Sequence, residues 1–223
     1  QLQEYRQVAD QYQIAKQQHQ QLQTLASLEG ALRTTQNAMR LRAQVLTTYL
    51  RLLRFKLLAQ PGIELSEKEV ADETLQSMVA TLETHQQKFA EPLDKPEEAL
   101  NFTEELAPKV EAAAYQALIN LKIGRLQTVY DRSLALHEEM SAELATISAS
   151  LDSAARQRSF AENKRLLDKV QLTFDEVEAE LQETQDSGYE SLYRQLKNPL
   201  NELYANLRRA LTYLSELLEG GSQ

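Results

Sequence analysis

Three histidines, His19, His85 and His137, are the side chains best placed by type for metal or proton chemistry, and each stands far from the others in sequence. A di-iron helical bundle needs Glu-x-x-His on facing helices, so that both ligands project inward one turn apart. None of the three has glutamate three positions earlier. His137-Glu138-Glu139-Met140-Ser141 lacks the second histidine of a zinc-protease helix. His19 and His85 fall on apolar seam positions, where core packing is the expected role. There is no glycine-rich phosphate loop, no Gly-x-Ser-x-Gly elbow and no cysteine nucleophile or thiolate ligand. The chain therefore reads as non-enzymatic, with no catalytic, cofactor-binding or metal-binding residues.

Binding chemistry is carried by other groups. Nine tyrosines (Tyr5, Tyr12, Tyr49, Tyr115, Tyr130, Tyr189, Tyr193, Tyr204 and Tyr213) offer rings for stacking, but several lie at or beside seam positions, where the ring packs and the hydroxyl stays wet. Asn101-Phe102-Thr103 has the form of a glycosylation acceptor. A net charge of −9 argues against general nucleic-acid binding, which needs a dominant basic surface. Asp175, Glu176, Glu178, Glu180, Glu183, Asp186 and Glu190 form an acidic block with no basic residue from Val170 to Tyr193. A solvated helix face explains it better than a calcium loop, which gathers oxygens around a tight glycine turn.

The elements that hold these groups are helical throughout. Six glycines and five prolines in 223 residues, no tryptophan, and abundant Leu, Ala, Gln and Glu suit long helices and not sheets. From Leu192 to Leu218 the heptad positions Leu196, Leu200, Leu203, Leu207, Ala210, Leu214 and Leu217 form one stripe. The spacing predicts an all-α protein, an elongated antiparallel helical bundle or coiled coil of about five helices. It forms one domain over 1–223, with helices at 2–59, 66–91, 97–151, 160–186 and 189–219.

In the first helix the opening seam is Tyr5, Val8, Tyr12, Ala15, His19 and Leu22, followed by Leu25, Leu32, Met39, Leu46 and Leu53 with Ala43, Leu50 and Leu57. The two seams differ in register, so a local change of winding is expected near Leu22–Leu25. Pro61-Gly62 stops this helix, and Ser66 with Glu69 has the form of a capping box. The second helix turns Ala71, Leu75, Met78, Leu82, His85 and Phe89 inward. Pro108 kinks or restarts the third, whose seam continues through Leu126, Val129, Met140, Leu144, Ile147 and Leu151. A turn is expected between Asp152 and Ser159, with Ser159 and Glu162 capping the fourth helix; one continuous helix is the rival reading. The fourth turns Leu166, Val170, Phe174, Val177 and Leu181 inward and ends at Asp186-Ser187-Gly188. Ser187 with Glu190 caps the last helix, which Pro199 kinks without ending.

Between Ala31 and Ile63 there is no acidic residue, but Arg33, Arg40, Arg42, Arg51, Arg54 and Lys56 are present. The next helix carries Glu67, Glu69, Asp72, Glu73, Glu83 and Glu91. A short turn makes the two antiparallel neighbours, so these charges are expected to pair along the seam edges, each exposed pair contributing ~0–1 kcal/mol. A basic stripe for an anionic lipid or polymer is the functional alternative.

No apolar run approaches the ~20 residues that cross a bilayer; the richest, Val45 to Ala59, is broken by Arg51, Arg54 and Lys56. The chain opens on Gln1 and not on methionine, the expectation for a processed or trimmed form that a signal peptide preceded. The Gln/Tyr-rich opening helix, Ala43-Gln44-Val45-Leu46-Thr47-Thr48-Tyr49-Leu50, the Pro61-Gly62 stop and Thr84-His85-Gln86-Gln87 together resemble uncharacterised secreted helical proteins of candidate-phyla bacteria, mainly over residues 1–90. The resemblance implies a location outside the cytoplasm and brings no activity and no functional residues. The expectation is a non-enzymatic extracytoplasmic structural or protein-interaction rod, a spacer or surface-assembly component. An intracellular coiled-coil scaffold binding a partner helix or an anionic membrane surface is the alternative. A protein partner is expected, a homo-oligomer being one form of it, with no cofactor, no nucleic acid and no transmembrane segment.

Overall fold

The computed structural model describes residues 2–90, 102–146, 154–184 and 188–219. The chain is all-α: seven α-helices and one π turn, with no strand, lie among the described residues. Within the 1–223 span read as one domain, contacts gather into two compact units. One is Gln1–Ala59 with Leu65–Leu118, the other Gln60–Glu64 with Ile119–Gln223.

In the first unit, α1 (Leu2–Leu22) and α2 (Leu25–Leu58) replace the single helix expected over 2–59. The chain reverses at Gln23, whose φ of 48° lies in the left-handed region that side chains with a Cβ seldom enter. Thr24, extended at φ −93° and ψ 157°, caps α2. Its hydroxyl accepts from the Ser27 amide at 3.2 Å, and the Ser27 hydroxyl accepts from the Thr24 amide at 3.1 Å. This is a capping box with serine in the position that glutamate or glutamine usually fills.

Across the turn, His19 Nδ1 lies 3.1 Å from Ser27 Oγ. So short a link folds α1 back along α2. The register counted outward from His19 and Ser27 sets Ala15 level with Ala31, Tyr12 with Thr34, Val8 with Ala38 and Tyr5 with Leu41, all at least half-buried. The change of winding expected near Leu22–Leu25 is thus a reversal of direction.

α2 also packs on α3 (Leu65–Lys88). Ala43, Leu50, Leu53 and Leu57 of α2 are buried, as are Ala71, Leu75, Val79 and Leu82 of α3 and Phe89 just beyond it. Met78 and His85, expected inward, are half-buried, and Val79 takes the core position beside Met78. The Ser66 capping box does not form: α3 opens at Leu65, two residues after the buried Ile63, so Ser66 lies inside its first turn.

A π turn at Phe102–Leu106 leads into α4 (Ala107–Thr146). Pro108 has no N–H to return to the preceding turn, and the widened π turn fits that missing donor. Of the helix expected over 97–151, residues 97–101 and 147–151 lie outside the described residues. α4 contributes 107–118 to the first unit and 119–146 to the second.

In the second unit, α4 is joined by α5 (Ala154–Glu183), α6 (Tyr189–Gln195) and α7 (Lys197–Glu219). α5 begins six residues before the position expected from Ser159 and Glu162, which lie inside it. The run Ala154-Ala155-Arg156-Gln157-Arg158 is made of strong helix formers and extends the helix N-terminally. Of the turn expected at 152–159, residues 152–153 lie outside the described residues and 154–159 are helical. The Asp186-Ser187 stop and the Ser187 cap also lie outside them. α6 and α7 are separated at Leu196, three residues before Pro199, whose ring crowds the Gln195 carbonyl and cannot donate to it. Leu200 still bonds to the Leu196 carbonyl at 3.0 Å, so the stripe runs through the interruption.

All of that stripe, Leu196 to Leu217, is buried, together with Leu166, Val170, Phe174 and Val177 of α5. On α4 the buried face is Tyr130, Ser133, His137 and Met140, while Val129, expected inward, is exposed. The Tyr130 and Phe174 rings meet edge to face at 5.9 Å.

Candidate functional site

The three histidines have different surroundings. His19 sits at the α1–α2 turn. His85, half-buried, has Nδ1 2.9 Å from the Thr81 carbonyl, with its ring tilted against Phe89. His137 is buried in the second unit. Among the described residues no group of three or more His, Asp or Glu is arranged to hold a metal ion.

His137 is the buried histidine, and it stands in a polar network. It is 6% exposed and its ring stacks on Phe160, with centroids 4.0 Å apart. Its Nδ1 lies 2.6 Å from Asn163 Oδ1, and Asn163 Nδ2 donates to the Ala210 carbonyl at 2.7 Å. A backbone carbonyl only accepts, so the amide must turn its nitrogen to Ala210 and its oxygen to His137; Nδ1 then carries the proton. The network ties α4, α5 and α7 together at one level of the bundle. Among the described residues no nucleophile or carboxylate bonds to His137 or Asn163, and the role of the network is positional.

The charge blocks resolve unevenly. Arg51 pairs with Glu83, and Arg54 forks onto both carboxylate oxygens of Asp72, its Nη2 donating at 3.0 Å. The bond to Asp72 raises the Arg54 pKa, holding the guanidinium charged. Arg40 instead bonds the Asn37 side chain on its own helix at 3.1 Å. Arg33 and Arg40, with Gln36, Asn37, Phe89 and Ala90, line an open cleft of about 250 Å³. Asp175, Glu176, Glu178, Glu180 and Glu183 are exposed along α5. Lys169 on that helix pairs with Glu202 of α7 and holds its carboxyl below the ordinary range.

The tyrosines divide between packing and surface. Tyr130 and Tyr189 are buried and Tyr204 is exposed, while the Tyr193 ring lies under the Lys122 ammonium at 4.3 Å. Asn101 of the glycosylation pattern lies outside the described residues. No helix among the described residues is long and apolar enough to cross a membrane.

A further candidate was not singled out from the sequence: the C-terminal third of α2. There Tyr49, Leu52, Phe55 and Leu58 are exposed, Phe55 at 69%, on a helix whose opposite face is core. The sequence signal was present as a second run of steps of three and four, apolar but for Thr48: Leu41, Val45, Thr48, Leu52, Phe55 and Ala59. With α1 and α2 read as one helix, nothing called for a second face.

No protein-family model, curated protein or solved structure matches the chain significantly.

Proposed function

We propose that this chain is a non-enzymatic helical interaction protein acting outside the cytoplasm, as a spacer or a component of a surface assembly. The observation that carries the reading is the cluster of large apolar side chains at the end of α2, in solvent on a helix anchored by Leu50, Leu53 and Leu57. Contiguous exposed apolar surface of this kind marks interaction sites in folded proteins. The location rests on the resemblance of the first 90 residues to secreted helical proteins; the absence of cysteine leaves the compartment open.

A photo-crosslinking amino acid at Leu52, expressed in the host cell, tests the binding claim. The expected result is a discrete adduct from Leu52 and none from Glu176 on the exposed face of α5. No adduct, or equal labelling at both positions, would sink the reading. Fractionation of the same cells tests location: recovery only with the cytoplasm would move the protein to the intracellular alternative.

A further inference from the structure

We propose that the cleft between α2 and the end of α3 binds a phosphate monoester, its dianionic group held between Arg33 and Arg40. The proposal goes beyond the interaction reading above and does not rest on the exposed end of α2.

Spacing places the cations. Arg33 and Arg40 are seven residues apart on α2, so they share one face of the helix, about 10 Å apart along its axis. Gln36 and Asn37 lie between them on that face. Gln36 Nε2 donates to the Phe89 carbonyl at 3.0 Å and fixes the end of α3 against α2. Phe89 is buried, which gives the cleft of about 250 Å³ an apolar base beneath its polar wall.

Hydrogen bonding then leaves donors facing the space. Arg40 Nη2 donates to Asn37 Oδ1 at 3.1 Å. Arginine only donates, so the Asn37 amide must turn its oxygen to Arg40 and its NH2 group away from it. Arg40 keeps further N–H groups, and among the described residues Arg33 has no hydrogen-bond or ion-pair partner. The Phe89 carbonyl, an acceptor at the edge of the cleft, is already taken by Gln36. A space lined by donors and two positive charges, against an apolar base, suits an anion rich in acceptors.

The protein's own carboxylates do not answer these two cations. Arg51 and Arg54 are met by Glu83 and Asp72. Beyond Glu83, residues 84–90 hold no acid, and Lys88 is exposed there. Glu29, one turn before Arg33, is exposed and forms no ion pair with it. Cations near a helix C-terminus commonly bond its last carbonyls. Here Gln36 does so instead, and the Phe89 and Ala90 amides close onto the His85 and Gln87 carbonyls. A carboxylate offers two oxygens and one charge, enough for one guanidinium fork. A phosphate monoester offers three oxygens and two charges, enough for both forks and the Asn37 amide.

The test is an NMR titration of the labelled full chain with phenyl phosphate at about pH 8, above the ester's second pKa of about 6. Amides of residues 33–40 and 89–90 are expected to shift saturably, with one-to-one stoichiometry. Phenyl sulfate, alike in shape with one charge fewer, should bind about tenfold more weakly or less. Arg33→Gln and Arg40→Gln should each weaken phenyl phosphate about tenfold. Both should keep the parent's circular dichroism, since neither side chain is buried. Arg51→Gln, on the same helix and outside the cleft, should leave the affinity unchanged.

No shift with phenyl phosphate, or equal binding of the sulfate, overturns the proposal. So does equal weakening by Arg51→Gln, which would mean diffuse attraction to a basic helix. Vesicles carrying phosphatidic acid distinguish the source of the group. Vesicle binding lost in both cleft variants identifies a lipid headgroup. Phenyl phosphate bound, with vesicle binding absent or untouched by those variants, identifies a soluble ester; either result sustains the site.

Discussion

Asn163 and Ala210 are joined across α5 and α7 by a 2.7 Å hydrogen bond from a side-chain amide to a backbone carbonyl, and the same amide receives His137. Asn163 is fully buried. Its replacement by alanine strands the His137 Nδ1–H inside the bundle, and the unmet donor sets the penalty. Asn163→Ala is expected to lower stability by about 1–3 kcal/mol in urea unfolding. Asn206, also buried on α7, has an Nδ2 with no partner among the described residues. Asn206→Leu is expected to leave stability unchanged or raise it, and a loss matching that of Asn163→Ala would refute the distinction.

The hairpin of α2 and α3 is pinned at two points. Arg54→Glu breaks the fork onto Asp72 and sets two carboxylates together, so amide exchange should quicken in both helices. Arg51→Glu should do less, because its pair with Glu83 is more exposed. Arg40→Glu should leave α3 unchanged, since Arg40 bonds Asn37 on its own helix. Quickened exchange in α3 on reversal of Arg40 would show charge pairing along the whole length of the helices. High salt should shrink the Arg54 effect.

The α1–α2 reversal carries strain and relief in adjacent residues. Gln23→Gly keeps the left-handed turn but relieves a penalty of about 1–2 kcal/mol that a Cβ incurs there, although glycine also gains freedom in the unfolded chain. A net gain of stability is expected. Thr24→Ala deletes the cap and should cost about 1 kcal/mol. α1 has no fully buried residue, so its amides should exchange before those of α2 and α3, and sooner still in Thr24→Ala. Uniform exchange through the three helices would contradict this order.

Burial pushes the Tyr130 phenol above its ordinary range; Lys164 opposes the shift, and Asp168, Asp131 and Asp175 add to it. A pKa raised in the folded state gives stability that is whole below the unfolded phenol's pKa and is lost as pH rises through the folded one. Alkaline titration should therefore show one tyrosine ionising late, together with loss of helicity, and Tyr130→Phe should remove that phase. An unchanged late phase in Tyr130→Phe would assign it elsewhere.

The loop after α2 sets a limit of space. Neither Gly62 nor Gly124 has positive φ, so room and not backbone freedom demands glycine. A Cβ at Gly62 would lie 2.1 Å from the Gly124 carbonyl oxygen, which Gln60 also engages at 3.1 Å. Gly62→Ala is expected to cost about 3 kcal/mol, at the upper end for overpacking, because the obstructing atom is backbone. A thermal melt matching the parent's would show that the loop can lift.

Apolar periodicity was enough to read the stripe from Leu196 to Leu217 and the run from Leu166 to Val177 on α5, because those positions are all aliphatic or aromatic; it gave no sign of the buried Asn163 and Asn206 beside them. It failed where seam positions are polar. Ser133 and His137 occupy the buried face of α4, so the phase of that helix was set on Val129 and not on Tyr130. It also failed at Gln23-Thr24, where the reversal contains neither glycine nor proline and its capping box closes through Ser27. That one miss concealed the second run of α2, and with it the exposed Leu52 and Phe55.

Gly62 and Gly124 also bear on how the sequence can drift. A Cβ at Gly124 would collide with Ile63, at 2.3 Å from Cγ1 and 3.1 Å from Cδ1, and that side chain can be shortened. Nothing so simple clears the carbonyl in front of Gly62. Descendants that keep this fold should therefore hold glycine at 62 without exception, while 63 and 124 trade volume, a smaller residue at one permitting a larger one at the other.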